Sequence, residues 1–162
     1  MIDTTSFKQA MSQFASGVTV VTTIFEDKPI GITATAFTSL SADPPLILIN
    51  LGKKLFTHQV VTDSGIFAVN ILSTAQKELG MRFAGMIPNV TDRFEGVVTE
   101  TAVTGSPLFK DALGWLDCRT WATYDGGDHT IFVGRVAAAH AVTSGAPLVY
   151  HNRQWQQAAT LD

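Results

Sequence analysis

The fold is decided by the stretch Gly31-Ile-Thr-Ala-Thr-Ala-Phe-Thr-Ser-Leu-Ser-Ala-Asp-Pro-Pro-Leu46. It is a strand-like run, yet its side chains are smaller and richer in hydroxyl groups than those of an ordinary core strand. It stops at Pro44 and Pro45, which cannot continue a central strand. Because small side chains let a flat ring approach the backbone and hydroxyls can reach a phosphate, the pattern suits a flat, phosphorylated ligand.

The hydroxyl side chains of this stretch recur with a period of two, as expected for one face of a strand. Thr33, Thr35, Ser39 and Ser41 are predicted on that face, whereas Thr38 falls on the opposite face and is expected to be structural. The same spacing is typical of an exposed barrel face, where Thr is common. The stretch alone therefore leaves a ligand platform and a barrel surface open.

The flanking sequence predicts a mainly β chain with three short helices. A hairpin joins the strand Val18–Ile24 to the decisive stretch through turn residues at Glu26–Pro29. Further strands are predicted at 46–51 (buried on both faces), 66–72, 94–102, 113–123, 130–142, 148–150 and 154–156. Helices are predicted around Phe7–Ala15, from the turn at Gly52–Lys54 to Asp63, and from the capping box Ser73–Gln76 to Ala84. This order fits an antiparallel β-barrel with helical decoration better than a doubly wound sheet.

The composition describes one domain, 1–162, and excludes several classes of function. Hydrophobic residues make up 46% and charged residues 15% of the chain, which favours a homo-oligomer that covers part of the surface. The net charge of −3 argues against nucleic acid as a partner. No apolar run approaches the ~20 residues that span a membrane, and Met1–Lys8 lacks the apolar region of a signal peptide. The single cysteine, Cys118, excludes an intrachain disulfide, so we expect a cytoplasmic protein.

A lysine-bearing turn follows the apolar strand, in Asn50-Leu-Gly-Lys-Lys-Leu-Phe56. Gly52 frees the backbone there, and a helix is predicted to begin after Lys53 and Lys54. Backbone N–H groups at a helix start, together with a lysine, form an anion site. A solvated pair of surface lysines is the alternative, and the neighbouring hydroxyl-rich strand favours the anion site.

A glycine turn, Tyr124-Asp-Gly-Gly-Asp-His129, leads into the strand that begins near Thr130. The glycines permit a turn with positive φ, which places His129 beside Asp128 at the mouth of the strand. A histidine in that position can donate a hydrogen bond to a substrate amide or phosphate, or serve as a base. A surface hairpin without a role fits the same spacing.

Several other side chains have both a functional and a structural interpretation. Phe83 could cover an aromatic ligand or pack in the core, and Arg82 or Arg93 could meet a phosphate. A strand face shared by aromatic and charged residues suggests a subunit contact or an exposed strand; its members are Trp115, Asp117, Arg119 and Trp121. The remaining histidines are expected on a helix surface, on a strand face and at a strand end near a pocket: His58, His140 and His151.

Common catalytic motifs are missing from the sequence. It contains no G-x-G-x-x-G, no G-x-S-x-G nucleophile elbow and no G-x-x-x-x-G-K-[ST] phosphate loop. No His, Cys and carboxylate residues have the spacing of metal ligands, so no metal site is expected. Cys118 lies in the middle of a predicted strand with no second cysteine near it, and is interpreted as packing.

Taken together, these segments resemble the short-chain flavin reductases of two-component monooxygenases, in the flavin reductase-like, FMN-binding split-barrel superfamily. The resemblance runs from about Phe7 to Tyr150, with its motifs in family order. They are Phe14-Ala-Ser-Gly-Val-Thr-Val-Val-Thr-Thr23, Gly31–Phe37 with Ser39, Ser41 and Pro44-Pro-Leu46, Phe67–Leu72, Arg82-Phe-Ala-Gly85, Gly127–Gly134 and Pro147-Leu-Val-Tyr150.

The resemblance implies a fold and a reaction. The fold is a mainly β, Greek-key split barrel with helices, assembled as a homodimer that binds FAD or FMN near its interface. The reaction is reduction of that flavin by NADH or NADPH, after which the reduced flavin diffuses to a separate flavin-dependent monooxygenase. Without a Rossmann motif, the nicotinamide is expected to fold over the flavin in one open groove.

The resemblance also implies roles for individual residues. The segment Thr33, Ala34, Thr35 and Ala36 lines the flavin ring, and Ser39 and Ser41 help to hold phosphate. The segment Asn50, Leu51, Gly52, Lys53 and Phe56 cradles the ribityl phosphate or the rest of FAD, with Lys53 as a phosphate contact. His129 lies at the nicotinamide nucleotide and is the one predicted catalytic residue, while Phe83 and Tyr150 complete the predicted cofactor-binding set.

One departure from the family pattern concerns the ring-lining segment. Many members have Asn-Ser where this chain has Thr35-Ala36, so those side-chain contacts do not carry over, whereas backbone contacts do. A non-catalytic split barrel that holds flavin or haem tightly for electron transfer or sensing stays open, and so, more weakly, does an oxidase of the pyridoxamine phosphate type. The sequence does not choose between FAD and FMN, NADH and NADPH, or ping-pong and sequential kinetics, and it does not name the partner oxygenase.

Overall fold

The computed structural model describes residues 2–160, so the ends of the predicted domain 1–162 lie outside the described residues. Within this range the helices are α1 (Thr4–Ser12), α2 (Phe56–Ser64) and α3 (Lys77–Phe83). The strands are β1 (Ser16–Gly17), β2 (Thr19–Phe25), β3 (Lys28–Ala34), β4 (Phe37–Ala42), β5 (Pro45–Gly52), β6 (Ile66–Ile71), β7 (Thr99–Glu100), β8 (Leu108–Phe109), β9 (Gly114–Gly126), β10 (His129–Ala141), β11 (Leu148–His151) and β12 (Gln154–Gln157). The prediction of a mainly β chain with three helices is confirmed.

Seven strands form one antiparallel sheet in the order β3-β2-β6-β9-β10-β5-β4. The two edge strands, β3 and β4, are consecutive in sequence and are separated only by Thr35 and Ala36. Ile32 of β3 and Phe37 of β4 nevertheless pack against the same core cluster, so the sheet curves around that cluster. Within residues 2–160, no ladder of hydrogen bonds joins β3 to β4.

Two apolar clusters hold the chain together. The first fills the inside of the curved sheet, where α2 adds Val61, and contains Val21, Ile47, Ile49, Leu51, Phe67, Val69, Cys118 and Phe132. The second lies under α3 and contains Val18, Val20, Leu72, Phe83, Phe109, Ala112 and Leu148. Each large apolar side chain buried in this way contributes about 1.5–3 kcal/mol. Gly134 allows β10 to approach Phe67, because a Cβ at Gly134 would lie 2.4 Å from Phe67 Cζ.

Buried polar side chains anchor the long connection between α3 and β9. Asp117 is fully buried and accepts hydrogen bonds from the backbone N–H groups of Val103 (2.7 Å) and Thr104 (2.8 Å). Asn70, also fully buried, accepts a hydrogen bond from Phe109 N at 2.7 Å. These anchors satisfy backbone groups that a ladder would otherwise pair. Over 94–102, where the sequence predicts a strand, the connection has only the short strand β7.

The decisive stretch is two strands and not one. It is broken at Thr35-Ala36, so β3 pairs with β2 in the predicted hairpin, whereas β4 pairs with β5. The neighbouring strand β5 also differs from its prediction, because its inner face is buried while its outer face is only partly covered. Within the described residues, no helix is long and apolar enough to cross a membrane.

Candidate active site

A groove with a volume of about 700 Å³ opens between α1 and the outer face of β4 and β5. Its lining comes from α1, the break between β3 and β4, the outer face of β5 and the turn between β11 and β12. The lining residues are Phe7, Lys8, Met11, Ser12, Phe14, Ser16, Thr35, Ala36, Phe37, Thr38, Leu48, Asn50, Tyr150, Asn152 and Arg153. The predicted site residues that the structure brings together here are Thr35, Ala36, Asn50 and Tyr150.

The floor of the groove is the two-residue break Thr35-Ala36. Ala36 accepts a hydrogen bond from Asn50 N at 3.1 Å, and Thr35 accepts one from Phe37 N at 3.0 Å. The first bond fastens the break to β5 and the second to the start of β4, while both side chains stay exposed. Small side chains on a fixed backbone leave peptide groups within reach of a flat ligand.

Asn50 faces this floor from the outer side of β5. Its side chain is half-buried, and its carboxamide oxygen Oδ1 is buried without a hydrogen-bond partner among the described residues. A buried acceptor left unpaired costs about 1–3 kcal/mol. Asn50 thus lines the groove, while its side-chain oxygen is buried beneath the groove surface without a partner among the described residues.

His129 shares the sheet face of Asn50. In the β5–β10 ladder His129 pairs with Gly52 and Ile131 pairs with Asn50. Paired residues of an antiparallel ladder point to the same side, so His129 and Asn50 lie on one face, two residues or about 7 Å apart along the strands. The imidazole is 49% exposed, which leaves it open to a ligand lying on that face.

The His129 ring is oriented by the residue before it. Its Nδ1 lies 2.7 Å from Asp128 Oδ1. The hydrogen bond to His129, and then the attraction of an imidazolium, hold the pKa of the Asp128 carboxyl below its ordinary value of 3.8. Neutral His129 therefore donates Nδ1–H to Asp128 and keeps Nε2 free to accept a hydrogen bond.

The lysine turn and the Gly-Asp-His turn are joined to each other. Lys53 N donates to Asp128 O at 3.0 Å, and Lys53 Nζ forms an ion pair with Asp125. Hydrogen bonding to Lys53 and its positive charge lower the pKa of Asp125. The predicted phosphate contact thus lies beside the predicted nicotinamide contact, but its ammonium group is engaged with a carboxylate.

The structure does not bring the remaining hydroxyls of the decisive stretch into the groove. Thr33 turns inward and donates to Gly80 O at 2.7 Å, and Ala34 accepts from Thr19 Oγ1 at 2.6 Å. The β4–β5 register shifts between Ser39 and Ser41, a β-bulge that resets the alternation. Ser39 pairs with the buried Ile47 and Ser41 with Leu46, so the two serines do not share a face. Neither lines the groove, whereas Thr38, expected to be structural, lines it. The prediction of one continuous hydroxyl face is wrong.

Two more predicted contacts are core residues. Phe83 is fully buried, with its ring centroid 4.9 Å from Phe94 and 5.5 Å from Phe109, so it packs the second cluster and does not cover a ligand. Leu51 is buried in the first cluster and is 2% exposed, so its side chain does not face a ligand. Phe56 stays exposed at the start of α2, against the edge of Phe25.

Other side chains for which the sequence suggested a role in binding form hydrogen bonds within the protein instead. Arg82 donates to Glu95 O at 2.7 Å, and Arg93 donates to Phe83 O at 3.1 Å. His58 is half-buried and lies 2.8 Å from Thr130 Oγ1, so it is not the surface residue expected on its helix. These contacts connect helices and loops to the sheet.

The aromatic and charged residues predicted to share one face of β9 have different environments in the structure. Asp117 is buried as the loop anchor, which removes it from any surface. Trp121 lies at a register shift of the β9–β10 ladder, is 54% exposed and has Arg135 over its ring at 5.5 Å. Trp115 packs beside His140, with ring centroids 5.7 Å apart. The bulge at Trp121 breaks the strict alternation on which the prediction depended.

Sequence reasoning missed the part that α1 plays in the groove. No residue of this helix is buried, and Phe7, Met11 and Phe14 at its inner side and end are 53%, 52% and 72% exposed. Asn152 N donates to Ser12 O at 2.8 Å, which fixes the end of α1 against the β11–β12 turn. The helical spacing of the three apolar residues was a usable signal, since a stripe on one helix face must cover something.

The described residues also place cations at the groove, and no metal cluster. Lys8 of α1 and Arg153 of the β11–β12 turn both line the groove. Residues 2–160 hold no group of three or more His, Cys, Asp or Glu side chains arranged for a metal ion. The groove therefore combines an apolar wall, exposed peptide groups and two positive charges.

Several known proteins similar to this chain are flavin reductases or reductase components of monooxygenases. The profile of the flavin reductase like domain matches residues 11–159. The chain is 35% identical over 146 residues to "Flavin-dependent monooxygenase, reductase subunit HsaB" of Mycobacterium tuberculosis, covering 90% of this chain and 76% of that protein. It is 38% identical over 152 residues to "4-hydroxyphenylacetate 3-monooxygenase, reductase component" of Thermus thermophilus, covering 94% and 95%.

Solved structures agree with these sequences. "Flavin reductase PheA2 in native state" matches with a TM-score of 0.90 and 37% identity, over 98% of this chain and 100% of that one. The Streptomyces globisporus C-1027 NADH:FAD oxidoreductase SgcE6, in complex with NAD and FAD fragments, matches with a TM-score of 0.89 and 34% identity, over 97% and 93%.

Proposed function

This chain belongs to the flavin reductase like family, and we propose that it reduces free FAD or FMN with NADH or NADPH and supplies the reduced flavin to a separate flavin-dependent monooxygenase. Relatives that cover nearly its whole length are reductase components of such monooxygenases. The chain is accordingly an oxidoreductase of the flavin reductase class. The reaction needs a site that holds a flavin loosely enough for it to leave.

The residues of the groove fit a flavin. Its volume of about 700 Å³ lies within the ~300–1,000 Å³ common for small-molecule sites. The exposed Thr35-Ala36 segment offers a flat contact, Asn50 offers a carboxamide whose oxygen no other described group uses, and Lys8 and Arg153 offer charge for phosphate. The single observation that carries the proposal is that Asn50, which is bonded to this platform, and His129 share one face of the sheet.

Bound flavin supplies a ring nitrogen that accepts hydride from the nicotinamide. The protein's part is positioning, since hydride transfer needs reacting atoms about 3–3.5 Å apart and no general acid in that step. Thr35 and Ala36 fix the plane on which the ring lies. His129 Nε2 would accept a hydrogen bond from the nicotinamide carboxamide, while Asp128 keeps the proton on Nδ1. The apolar side chains of α1 exclude water from the other side.

Roles at the phosphates follow from the charges around the groove. Lys8 and Arg153 reach a phosphate that leaves the groove beside α1. Lys53 serves the nucleotide at the other end, once it exchanges Asp125 for a phosphate. Ser39 and Ser41 lie on the edge strand β4 and contact only a flavin tail that extends along that edge.

We further propose that two copies of the chain form a Greek-key split-barrel homodimer. The unpartnered stripe Phe7, Met11 and Phe14 supports this, as do Trp121 and Tyr124, exposed on β9. A second copy would bury these side chains and close the open side of the groove. Light scattering on the purified protein should give twice the mass of the chain, and Phe14→Ser should shift it toward the monomer. A monomeric wild type would contradict the proposal. A cytoplasmic location stays a prediction.

A steady-state assay tests the proposed reaction. The loss of NADH or NADPH absorbance is followed with FAD, with FMN and without added flavin, in all four pairings. Multiple turnovers that depend on added flavin are expected in at least one pairing. The proposal fails if no pairing exceeds the rate without flavin. The matched variant His129→Ala should raise the nicotinamide KM or lower kcat while flavin affinity changes little.

A further inference from the structure

Among the described residues that line the groove, Asn50 is the one with a buried side-chain polar atom that has no hydrogen-bond partner. Asn50 lines the groove together with Leu48, on its own face of β5, and with the Thr35-Ala36 break, to which its backbone N–H is bonded. Oδ1 is buried and has no donor among the described residues. A leucine at this position would avoid the cost of burying an unpaired acceptor, so the asparagine costs stability that a ligand can restore.

The position of Asn50 selects which part of a ligand it meets. Its backbone bond to Ala36 O places it directly beside the ring platform. His129, the predicted nicotinamide contact, lies two residues further along the ladder, opposite Gly52. We therefore expect Asn50 to meet the edge of a ring that rests on Thr35-Ala36, and His129 to meet the nicotinamide.

The edge of the flavin ring has the chemistry that a carboxamide complements. Its pyrimidine ring carries an N3–H donor flanked by two carbonyl acceptors. A carboxamide presents one acceptor and one N–H₂ donor side by side, so it can form two parallel hydrogen bonds to that edge. Turning the Asn50 carboxamide toward the groove breaks no hydrogen bond of Oδ1, because Oδ1 has none.

We propose that Asn50 recognises the flavin ring by this pairing, with Oδ1 accepting from N3–H and Nδ2 donating to the adjacent carbonyl. The proposal rests on the proposed function and makes Asn50 the determinant of ring identity in the groove. Lys8, Arg153 and Lys53 would then recognise the phosphate tail, and Asn50 would recognise the ring whatever tail it carries.

Flavin affinity tests this without any turnover. Dissociation constants of FMN and of FMN methylated at N3 are measured by flavin fluorescence for the wild type, Asn50→Leu and Gln157→Leu. Leucine keeps the size of asparagine and removes both polar groups, and Gln157 is an exposed amide on β12, away from the groove. The wild type and Gln157→Leu should prefer FMN by about tenfold, the worth of a hydrogen bond to a ring donor. Asn50→Leu should bind both flavins alike, at the weaker affinity.

The other outcomes overturn the proposal in distinct ways. If Asn50→Leu keeps the tenfold preference, the N3-methyl group is rejected by shape or by another residue. If the wild type has no preference, N3–H is not recognised. If Asn50→Leu changes only the NADH KM, Asn50 contacts the nicotinamide.

Two further measurements distinguish this inference from a folding defect and from the proposed function. Thermal unfolding should show Asn50→Leu folded and at least as stable as the wild type, because the unpaired oxygen is gone. A wild type that binds FMN selectively but does not oxidise NADH would refute the proposed function while leaving the recognition by Asn50 intact. A wild type that binds neither flavin would refute both.

Discussion

Asp128 Oδ1 lies 2.7 Å from His129 Nδ1, at the point where His129 faces Gly52 across the β5–β10 ladder. The adjacent residue thus fixes the ring, whose other nitrogen has no hydrogen-bond partner among the described residues. An exposed carboxylate with a bonded imidazole is a positioning pair of the kind that sets a tautomer. Four predictions follow from this relationship and its neighbours.

Replacing Asp128 should impair nicotinamide use more than flavin use. Asp128→Asn can place an amide nitrogen toward Nδ1, which then favours the tautomer with its proton on Nε2. We expect the NADH KM to rise severalfold with little change in flavin affinity, measured by steady-state kinetics and flavin fluorescence. The control is Asp27→Asn, in the exposed turn between β2 and β3. Equal loss of flavin affinity in Asp128→Asn would place the pair elsewhere in the site.

The same pair predicts a pH dependence of stability. The pKa of Asp128 is lowered in the folded protein, so the unfolded chain binds this proton more readily. Its contribution to stability is therefore present above the ordinary pKa of 3.8 and is lost as pH falls through the lowered value. The difference in unfolding midpoint between wild type and Asp128→Asn should shrink as pH is lowered toward that range. A difference that grows on acidification would contradict this sign.

The ion pair between Lys53 and Asp125 should compete with a phosphate. Asp125→Ala frees the ammonium group and should tighten the binding of the nucleotide that Lys53 contacts, whereas Lys53→Ala should weaken it severalfold. Riboflavin, which has no phosphate, should respond to neither change. The comparison of NADH, FAD, FMN and riboflavin affinities also shows which nucleotide Lys53 serves. Identical responses of all four ligands would mean that Lys53 acts only on the structure of the turn.

Gly134 should be intolerant of any side chain. A Cβ there would lie 2.4 Å from Phe67 Cζ and 3.0 Å from Cys118 Cβ, inside the first core cluster. Overpacking of this kind costs about 1–3 kcal/mol. Urea unfolding of Gly134→Ala should show that loss, whereas Gly17→Ala, where a Cβ meets nothing within 4 Å, should change stability little. Equal stabilities for the two variants would contradict the packing described here.

Local signals in the sequence predict much of this fold. The capping box is an example, because Ser73 N donates to Gln76 Oε1 at 3.0 Å as its spacing predicts. The hairpin from β2 to β3 and the long pair β9 and β10 follow from apolar runs and glycine turns. Such features depend on residues close together in sequence, so one segment is enough to indicate them.

Features that depend on tertiary contacts were out of reach. The predicted hydroxyl face is not formed, because the interruption between β3 and β4 at Thr35-Ala36 and the bulge before Ser41 both shift the alternation of side chains. Neither feature contains a proline or glycine that would indicate it in the sequence. Of the strand predicted over 94–102 only β7 forms, and the loop that follows it is held by Asp117, a residue distant in sequence that bonds Val103 N. Phe83 fitted a ligand and a core equally well until its neighbours were known.

The candidate site shows the same division. The position of His129 beside Asp128 could be predicted from the glycine turn, whereas its alignment with Asn50 requires the register of β5 and β10. The unpaired oxygen of Asn50 leaves no trace in the sequence, because an asparagine in a strand is unremarkable by itself. Sequence thus identifies residue types suited to the chemistry, and the ladder decides which of them meet.

The central claim is that flavin is a substrate here and leaves the protein after reduction. Its most direct test is an anaerobic titration in which NADH or NADPH is added to catalytic amounts of protein and a large excess of FAD or FMN. We predict that the flavin colour is lost completely, with one flavin reduced for each nicotinamide oxidised and many flavins reduced for each protein chain. Reduction that stops at one flavin per chain, or no reduction with any pairing, would contradict the account.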